Sequence, residues 1–595
     1  MDLGQAILTP KSLIYVALVL LAISLYAVYH ILLPKPLPGI AYNASSASSL
    51  LGDAADMART VRETNEFGPW CATQIRKAGA PLCQVFVRPF SKPWVLLADF
   101  PEAYDILARR TAPGRDADFD KSSFITDNMS CLGDFHAALR ATTRGDRFKA
   151  NRALMQDLMA PSFLHLVMGP TVHAKGMELV GLLDAKTRLA AGRPFDIKAD
   201  LDCVTVDVML RFGFGSNFDE TCLPPQMELI SHLAALDVPG GHIDEPVAFP
   251  EAPATPFTVA LREAPRVVEM LINSVVPQVN SWCWKKQSWY KTIFSRRDQI
   301  LREQFRKALE TYREGGVQSA AEHMLMREER EAEKQGRAPE LESNVFVEEL
   351  FGQMIAGTHT TGGAMGWIIK YLTSYSHIQA KLRDALYAAL PQAVTEGRAP
   401  TFEELRRMRL PYLEAFIEET LRLNAVPITR ETIRDTTILG HPVPKGCQVF
   451  LVSNGPGFIS PPLAVSASER SSATRQTKMN DHWDESRDLR AFDPERWLVR
   501  DCDGDADAVS FNGTAGPQLV FGHGVRGCWG KKLAQMELRT VVALLVWHFE
   551  MLEIPSTLAG NEATEGVARR PRRVFVRLRK YFKGRIVDHK DNCIN

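Results

Sequence analysis

Polarity along the chain changes character near residue 34. From Leu13 to Leu33 the run is apolar, and His30 is its only group that titrates near neutral pH. About 20 residues at ~1.5 Å each cover the ~30 Å hydrocarbon core of a bilayer, so this pattern predicts one transmembrane helix over about 13–33. A cleaved signal peptide is the rival reading, but its apolar region normally runs about 7–15 residues behind a basic start. Here the start carries Asp2, and its only base is Lys11. Pro34-Lys35-Pro36-Leu37-Pro38-Gly39 follows, and prolines so closely spaced stop a helix and hold the chain extended. The pattern thus divides the chain into an N-terminal segment 1–33, a proline-rich hinge 34–39, and residues 40–595. Lys11 and Lys35 flank the apolar span equally, so charge does not fix its orientation.

Beyond Ile40 the period shortens and lengthens in turn. Short apolar runs predict strands at Leu82–Val87, Trp94–Ala98, Gln448–Val452 and Arg573–Leu578. Helical periodicity dominates elsewhere, notably over Asn344–Tyr375, Ile378–Leu390, Phe402–Leu423 and the segment from Lys531 through Trp547. Two stretches read as irregular: a proline-rich loop from Pro239 to Pro256, and a serine-rich loop from Ile459 to Trp483. No internal repeat or long linker divides residues 40–595, so the expectation is one mainly α domain with small β-sheets.

Composition adds little to this picture. In 595 residues, 45% hydrophobic and 24% charged residues supply a core, and a formal net charge of zero points to no nucleic-acid partner. Ten scattered cysteines form no C-x-x-C pair, which argues against a zinc site and for reduced thiols.

One of those cysteines stands apart. Phe521-Gly522-His523-Gly524-Val525-Arg526-Gly527-Cys528-Trp529-Gly530 sets Cys528 in a glycine-rich loop at the start of a helix. Helix-start amides favour an anion, so the sulfur suits a thiolate ligand to haem iron. Gly524, Gly527 and Gly530 would let backbone approach a flat porphyrin, Arg526 would pair with a haem propionate, and Phe521 would shield the sulfur from water.

On these residues the chain resembles the cytochrome P-450 family of haem-thiolate monooxygenases, whose haem loop reads F-x-x-G-x-R-x-C-x-G. The resemblance implies that family's fold, a cytosolic catalytic domain anchored in the endoplasmic reticulum membrane, and unmodified sequons at Asn43, Asn128 and Asn512. Glu419-Thr420-Leu421-Arg422, followed by Pro494-Glu495-Arg496, resembles its E-x-x-R helix and P-E-R motif, which implies that Glu419, Arg422 and Arg496 interlock beside the haem. By spacing alone Glu419/Arg422 is no better than the surface pairs Glu263/Arg266, Glu303/Arg306 and Glu403/Arg406. Gly145–Arg152 resembles the W-x-x-x-R helix with Phe148 in place of tryptophan, giving Arg152, and by the same reasoning Arg430, to the propionates. The resemblance also places the proline-rich loop between two helices roofing the substrate channel.

Ala356-Gly357-Thr358-His359-Thr360 resembles the family's A-G-x-(D/E)-T oxygen site, except that His359 stands where the acid should. Reducing dioxygen consumes protons, and imidazole with its ordinary pKa near 6.5 can relay them beside Thr360. The alternative is a structural His359 that points into the protein and meets a carbonyl. A haem-thiolate isomerase or dehydratase that activates no oxygen, and a non-enzymatic membrane haem sensor or carrier, are the competing functions; the hydroxyl of Thr360 argues against the first. No G-x-G-x-x-G follows a strand, so electrons must come from another protein. The resemblance implies an NADPH-dependent flavoprotein reductase, with Lys531 and Lys532 as docking candidates. The substrate is expected to be a lipophilic small molecule. Pro494-Glu495-Arg496-Trp497-Leu498 looks like membrane-bound fungal members, many of which tailor terpenoids, polyketides or alkaloids in secondary metabolism.

Overall fold

The computed structural model describes residues 10–88, 91–111, 117–129, 142–143, 145–216, 218, 220–236, 241–272, 274, 277–477, 479–500, 509–582 and 585–586. The ends of the expected segments, residues 1–9 and 587–595, lie outside them, as do Pro239 and Gly240. The apolar run forms α1 (Pro10–Leu32), exposed from Ile14 to Ile31 and long and apolar enough to cross a membrane. The prolines behind it are fastened to the body. Leu37 N–H donates to Gln84 Oε1 (2.8 Å), Gln84 Nε2 donates back to the Leu37 carbonyl (2.9 Å), and Tyr29 Oη donates to the Ser48 carbonyl (2.8 Å).

The expected strands form, one to four residues off at their ends. Strands β1 (Leu82–Val85), β2 (Trp94–Leu97), β3 (Phe119–Asp120), β5 (Ile428–Thr432) and β6 (Gln448–Leu451) make a sheet of order β1-β2-β6-β5-β3, with β2 and β6 parallel. Every residue of β1, β2 and β6 is buried, which is why these strands read as continuous apolar runs rather than alternating ones. In a second sheet β8 (Phe575–Phe582) pairs with β4 (Phe195–Asp196) and β7 (Phe549–Leu552).

The helices that position the site are α2 (Asp146–Leu154), α3 (Gly169–Ala190), α4 (Lys198–Phe214), α5 (Leu223–Ser231), α6 (Pro256–Ile272), α7 (Pro277–Trp284), α8 (Asn344–Ser374), α9 (Phe402–Arg407), α10 (Pro411–Leu423) and α11 (Lys531–His548). Helix α8 runs through the main core with Phe346, Leu350, Met354, Ile368 and Leu372 buried, between α4 on one side and α11 on the other. The Ser343 side chain caps its start by accepting from Val345 N–H.

One expectation is corrected. The run Phe402–Leu423 is two helices, because Pro411 disfavours helical geometry at Leu410, where ψ is 79°. A capping box between Thr401 and Glu404 starts the first. The proline-rich loop joins two helices, as expected. It lies between α5 and α6 and is held over the end of α3 and β8: Arg193 Nη2 donates to the Gly241 carbonyl (2.7 Å), Val247 N–H to Pro194 (2.8 Å), and Arg577 pairs with Asp244 (2.5 Å). The serine-rich loop is irregular as expected, apart from one turn of helix at Ser472–Gln476 capped by Ser471.

Candidate functional site: a cavity beside Cys528

A cavity of about 360 Å³ lies between α8, the Cys528 loop and the start of α11. Its lining includes Cys528, Phe521, Arg526, Arg152, Arg430 and Thr360, which the sequence singled out. Cys528 N–H donates to the Phe521 carbonyl (2.7 Å), closing the loop on itself. Burial raises the Cys528 thiol, while the Gly530 and Lys531 amides at the start of α11 and the Lys531 charge pull it down. The helix start is therefore aimed at the sulfur. The glycines divide the labour differently from expectation. Gly524, at φ +69°, lets the loop pack on α-helical residues 107–108: a Cβ there would stand 2.3 Å from the Leu107 carbonyl oxygen. Gly530 has open space where a Cβ would be, so it is the glycine that leaves the face beside the sulfur clear.

One end of the cavity concentrates positive charge. Arg152, Arg430 and Arg526 meet there with Lys121, which the sequence gave no reason to select. Burial and the neighbouring arginines push Lys121 down to about 7, and burial lowers both Arg430 and Arg526 to about 10, each further depressed by another arginine. Among the described residues Asp120, 3.8 Å from Arg526, is the compensating anion, and Arg430 Nε is buried without a partner. Buried charge so concentrated calls for a further anion. The two carboxylates of a haem would satisfy it, so the residues present fit that group: Cys528 to hold iron and these cations to hold its propionates. Phe148 explains its place too. The Arg526 guanidinium lies over its ring at 3.9 Å, with Arg152 at 5.9 Å, so the aromatic ring orients two cations by its face where tryptophan would offer an N–H. Arg152 also donates to the Val525 carbonyl (2.6 Å).

Behind the loop, Glu419 on α10 is fully buried and accepts five hydrogen bonds. Arg422 gives two (both 2.8 Å), Arg496 Nε one (2.9 Å), Trp497 Nε1 one (2.9 Å) and Asp493 N–H one (3.1 Å). Arg422 continues to the Phe458 and Leu489 carbonyls. The three expected residues interlock, and Trp497 and Asp493 join them unforeseen. Of the rival pairs, Glu263/Arg266 and Glu403/Arg406 are surface ion pairs, while Glu303 pairs with Lys307 instead.

Across the cavity, Ala356 and Thr360 line the α8 wall, and Thr360 Oγ1 donates to the Ala356 carbonyl (2.7 Å). Gly357 serves packing as well as space, since a Cβ would meet Met209 of α4 at 2.4 Å. His359 is not with Thr360. One residue earlier on the helix, it turns into a separate polar cleft among Lys198, Asp202, Arg262, Glu269 and Arg570. Burial, then the Arg570 charge, push it down to about 3, against the opposing pull of Asp202 and the Arg262 backbone. The geometry is that of the structural alternative, not of a relay beside Thr360. Gln353, Met155, Met159, Phe212 and Val567 also line the cavity.

The family model for cytochrome P-450 matches residues 126–455 and 483–578. The chain is 36% identical over 578 residues to "Cytochrome P450 monooxygenase xilC" of Penicillium rubens, covering 96% of this chain and 97% of that protein. It is 32% identical over 593 residues to "Cytochrome P450 monooxygenase TRI13" of Fusarium sporotrichioides, covering 95% and 99%. A crystal structure of a cytochrome P-450 superposes with a TM-score of 0.62 at 18% identity, covering 92% of this chain and all of that one, which supports the fold. Cysteine loop, cation-lined cavity and relatives agree: the chain belongs to the cytochrome P-450 family, enzymes that bind haem through a cysteine thiolate and incorporate oxygen from O2.

Proposed function

We propose that this chain is a membrane-anchored monooxygenase that inserts one oxygen atom of O2 into a lipophilic intermediate of secondary metabolism, a terpenoid, polyketide or alkaloid, with electrons from NADPH through a flavoprotein reductase. The observation that carries the reading is Cys528 and Thr360 facing one mostly apolar cavity whose far end is lined with cations. Bound haem supplies one-electron and O2 chemistry, with the thiolate favouring O–O cleavage. The protein's own residues do the rest. Cys528 holds the iron. Lys121, Arg152, Arg430 and Arg526 fix the propionates, and Phe521 covers the sulfur. Thr360, its hydroxyl hydrogen committed to Ala356, offers oxygen lone pairs toward the cavity and so positions a donor there. Glu419, Arg422 and Arg496 brace the loop from behind. Met155, Met159, Met209 and Phe212 give the cavity an adaptable apolar wall. Exposed Lys531 and Lys532 offer positive charge to an acidic reductase face. Residues 1–33 anchor, 34–39 join, and 40–595 form the catalytic domain.

The test is to incubate microsomes carrying the chain and its reductase with candidate intermediates under isotopically heavy O2. Product should gain one heavy oxygen and require NADPH, and Cys528→Ala should abolish it together with the thiolate signature of the reduced carbon monoxide complex. Product formed without O2 or NADPH would replace this reading with the isomerase class.

A further inference from the structure

The polar cleft that takes His359 has hydrogen-bonding groups left over. It encloses about 300 Å³ between α4, α6, α8 and a hairpin of strands Ala563–Glu565 and Arg569–Pro571. Its charged lining is Lys198, Arg262, Arg266 and Arg570 against Asp202, Glu263 and Glu269, an excess of one positive charge. Each carboxylate already has a cation: Asp202 has Lys198 (2.5 Å), Glu263 has Arg266 (3.5 Å) and Glu269 has Arg570 (2.6 Å). Arg262, half-buried on α6, has no ion-pair partner among the described residues. Arg570 gives Glu269 only Nη2 (2.6 and 2.8 Å), and its Nε is buried without a partner, as is His359 Nδ1. Buried donors without acceptors are destabilising, and an anion is the partner this set lacks. Two glycines bring the charged groups this close. A Cβ at Gly363 would stand 2.5 Å from Arg570 Cγ, so α8 admits that side chain along its surface, and a Cβ at Gly566 would stand 2.4 Å from Glu269 Cγ.

We propose that this cleft is a binding site for a small oxyanion, a carboxylate or a phosphate group, held by Arg262 and Arg570 with His359 beside them. A guanidinium suits such a group because its fork of N–H donors meets two oxygens at once. With the neighbours described, burial and the Arg570 charge keep the His359 ring neutral. An anion offsets that charge and favours the protonated ring, which gives Nδ1 a proton to donate. A cation is the poorer occupant, since every carboxylate in the cleft is already paired. Occupancy reaches across α8. The hairpin that carries Arg570 also carries Val567, which lines the cavity beside Cys528, so an anion tying Arg570 to Arg262 fastens that hairpin to α6.

The test is calorimetric titration of the full-length haem-loaded protein at constant ionic strength, with inorganic phosphate and succinate as separate probes. Bound haem offers its propionates to the cations beside Cys528, which keeps that cluster from taking up the probe. One probe or both should bind saturably at a single site with a Kd below about 10 mM. Arg262→Gln should weaken that binding on the order of tenfold or more, and Arg262→Lys, which keeps the charge but not the fork, should weaken it less. Arg188→Gln, at an exposed position of α3, should leave it unchanged. Tighter binding of succinate assigns the site to carboxylic acids, and tighter binding of phosphate assigns it to phosphate esters. A wild type that binds neither probe saturably overturns the proposal, as does binding of equal strength in the wild type and Arg262→Gln. The reduced carbon monoxide spectrum of each variant reports whether it is folded around haem, and Arg262→Lys carries the comparison should Arg262→Gln take up none.

Discussion

Replacing Glu419 with glutamine keeps the side chain's shape and removes its charge, which isolates what the carboxylate does for the two arginines around it. Glu419, Arg422 and Arg496 have side chains 0%, 0% and 2% exposed, so the two guanidiniums have no access to water that could replace the lost anion. All five groups pointing at Glu419 are donors, and an amide turns one acceptor oxygen into a further donor facing them. Removing one partner of a buried ion pair costs about 3–5 kcal/mol, and the clash of donors places Glu419→Gln in the upper half of that range. The assay is urea unfolding of the haem-loaded protein, followed by tryptophan fluorescence and by loss of the thiolate carbon monoxide spectrum. The midpoint should fall with little change in slope, and both signals should move together, as a cooperative two-state transition requires. Glu263→Gln is the control: the same spacing on an exposed helix face should shift stability by no more than about 0.5 kcal/mol. Glu419→Gln falling within about 1 kcal/mol of the wild type would refute the argument that burial, rather than spacing, gives this pair its weight.

Two further outcomes are expected. His359 is pushed down to about 3 in the folded protein and titrates near 6.5 when unfolded, so the unfolded state binds the extra proton first and stability falls as pH drops from about 6.5 toward 3. Relative to the wild type, His359→Gln should therefore lose less stability, by roughly 1.4 kcal/mol per pH unit between pH 6 and 4, in urea titrations at fixed pH; equal pH slopes would show that the ring is not held neutral. Deleting residues 1–33 should move much of the protein from the membrane pellet to the supernatant with haem binding intact, and the exposed Val279 and Trp282 of α7 should retain a residual fraction; loss of the folded haem protein would contradict a separable anchor.

Local chemistry was the part of the fold and site most legible in the sequence. The Cys528 loop, the Glu419/Arg422/Arg496 set and the buried strands each announce themselves through residues within a few positions of one another or through a recognisable order along the chain. What escaped depends on direction and distance. Lys121 precedes a short helix with no motif around it, and only the fold brings it to Arg430 and Arg526. The sequence leaves His359 open between a relay beside Thr360 and a structural role, because neighbours on a helix point about 100° apart and the motif alone does not tell which way the ring faces. The proline-rich loop is fastened by hydrogen bonds from Arg193 and Val247 and by the Arg577 ion pair, partners that no local pattern reveals.

Helix α8 separates two compartments with a partition one helix thick: Ala356 and Thr360 line the cavity beside Cys528, while Thr358 and His359 line the cleft that holds the Arg570–Glu269 ion pair. The two sides are thus free to diverge under different pressures. Side chains on the cleft side answer to the charges of α4, α6 and the strand carrying Arg570, so a histidine at 359 records a local electrostatic settlement and not the chemistry next door. It also makes the cleft a vantage point, where a probe can register strain in the partition without entering the chamber it encloses.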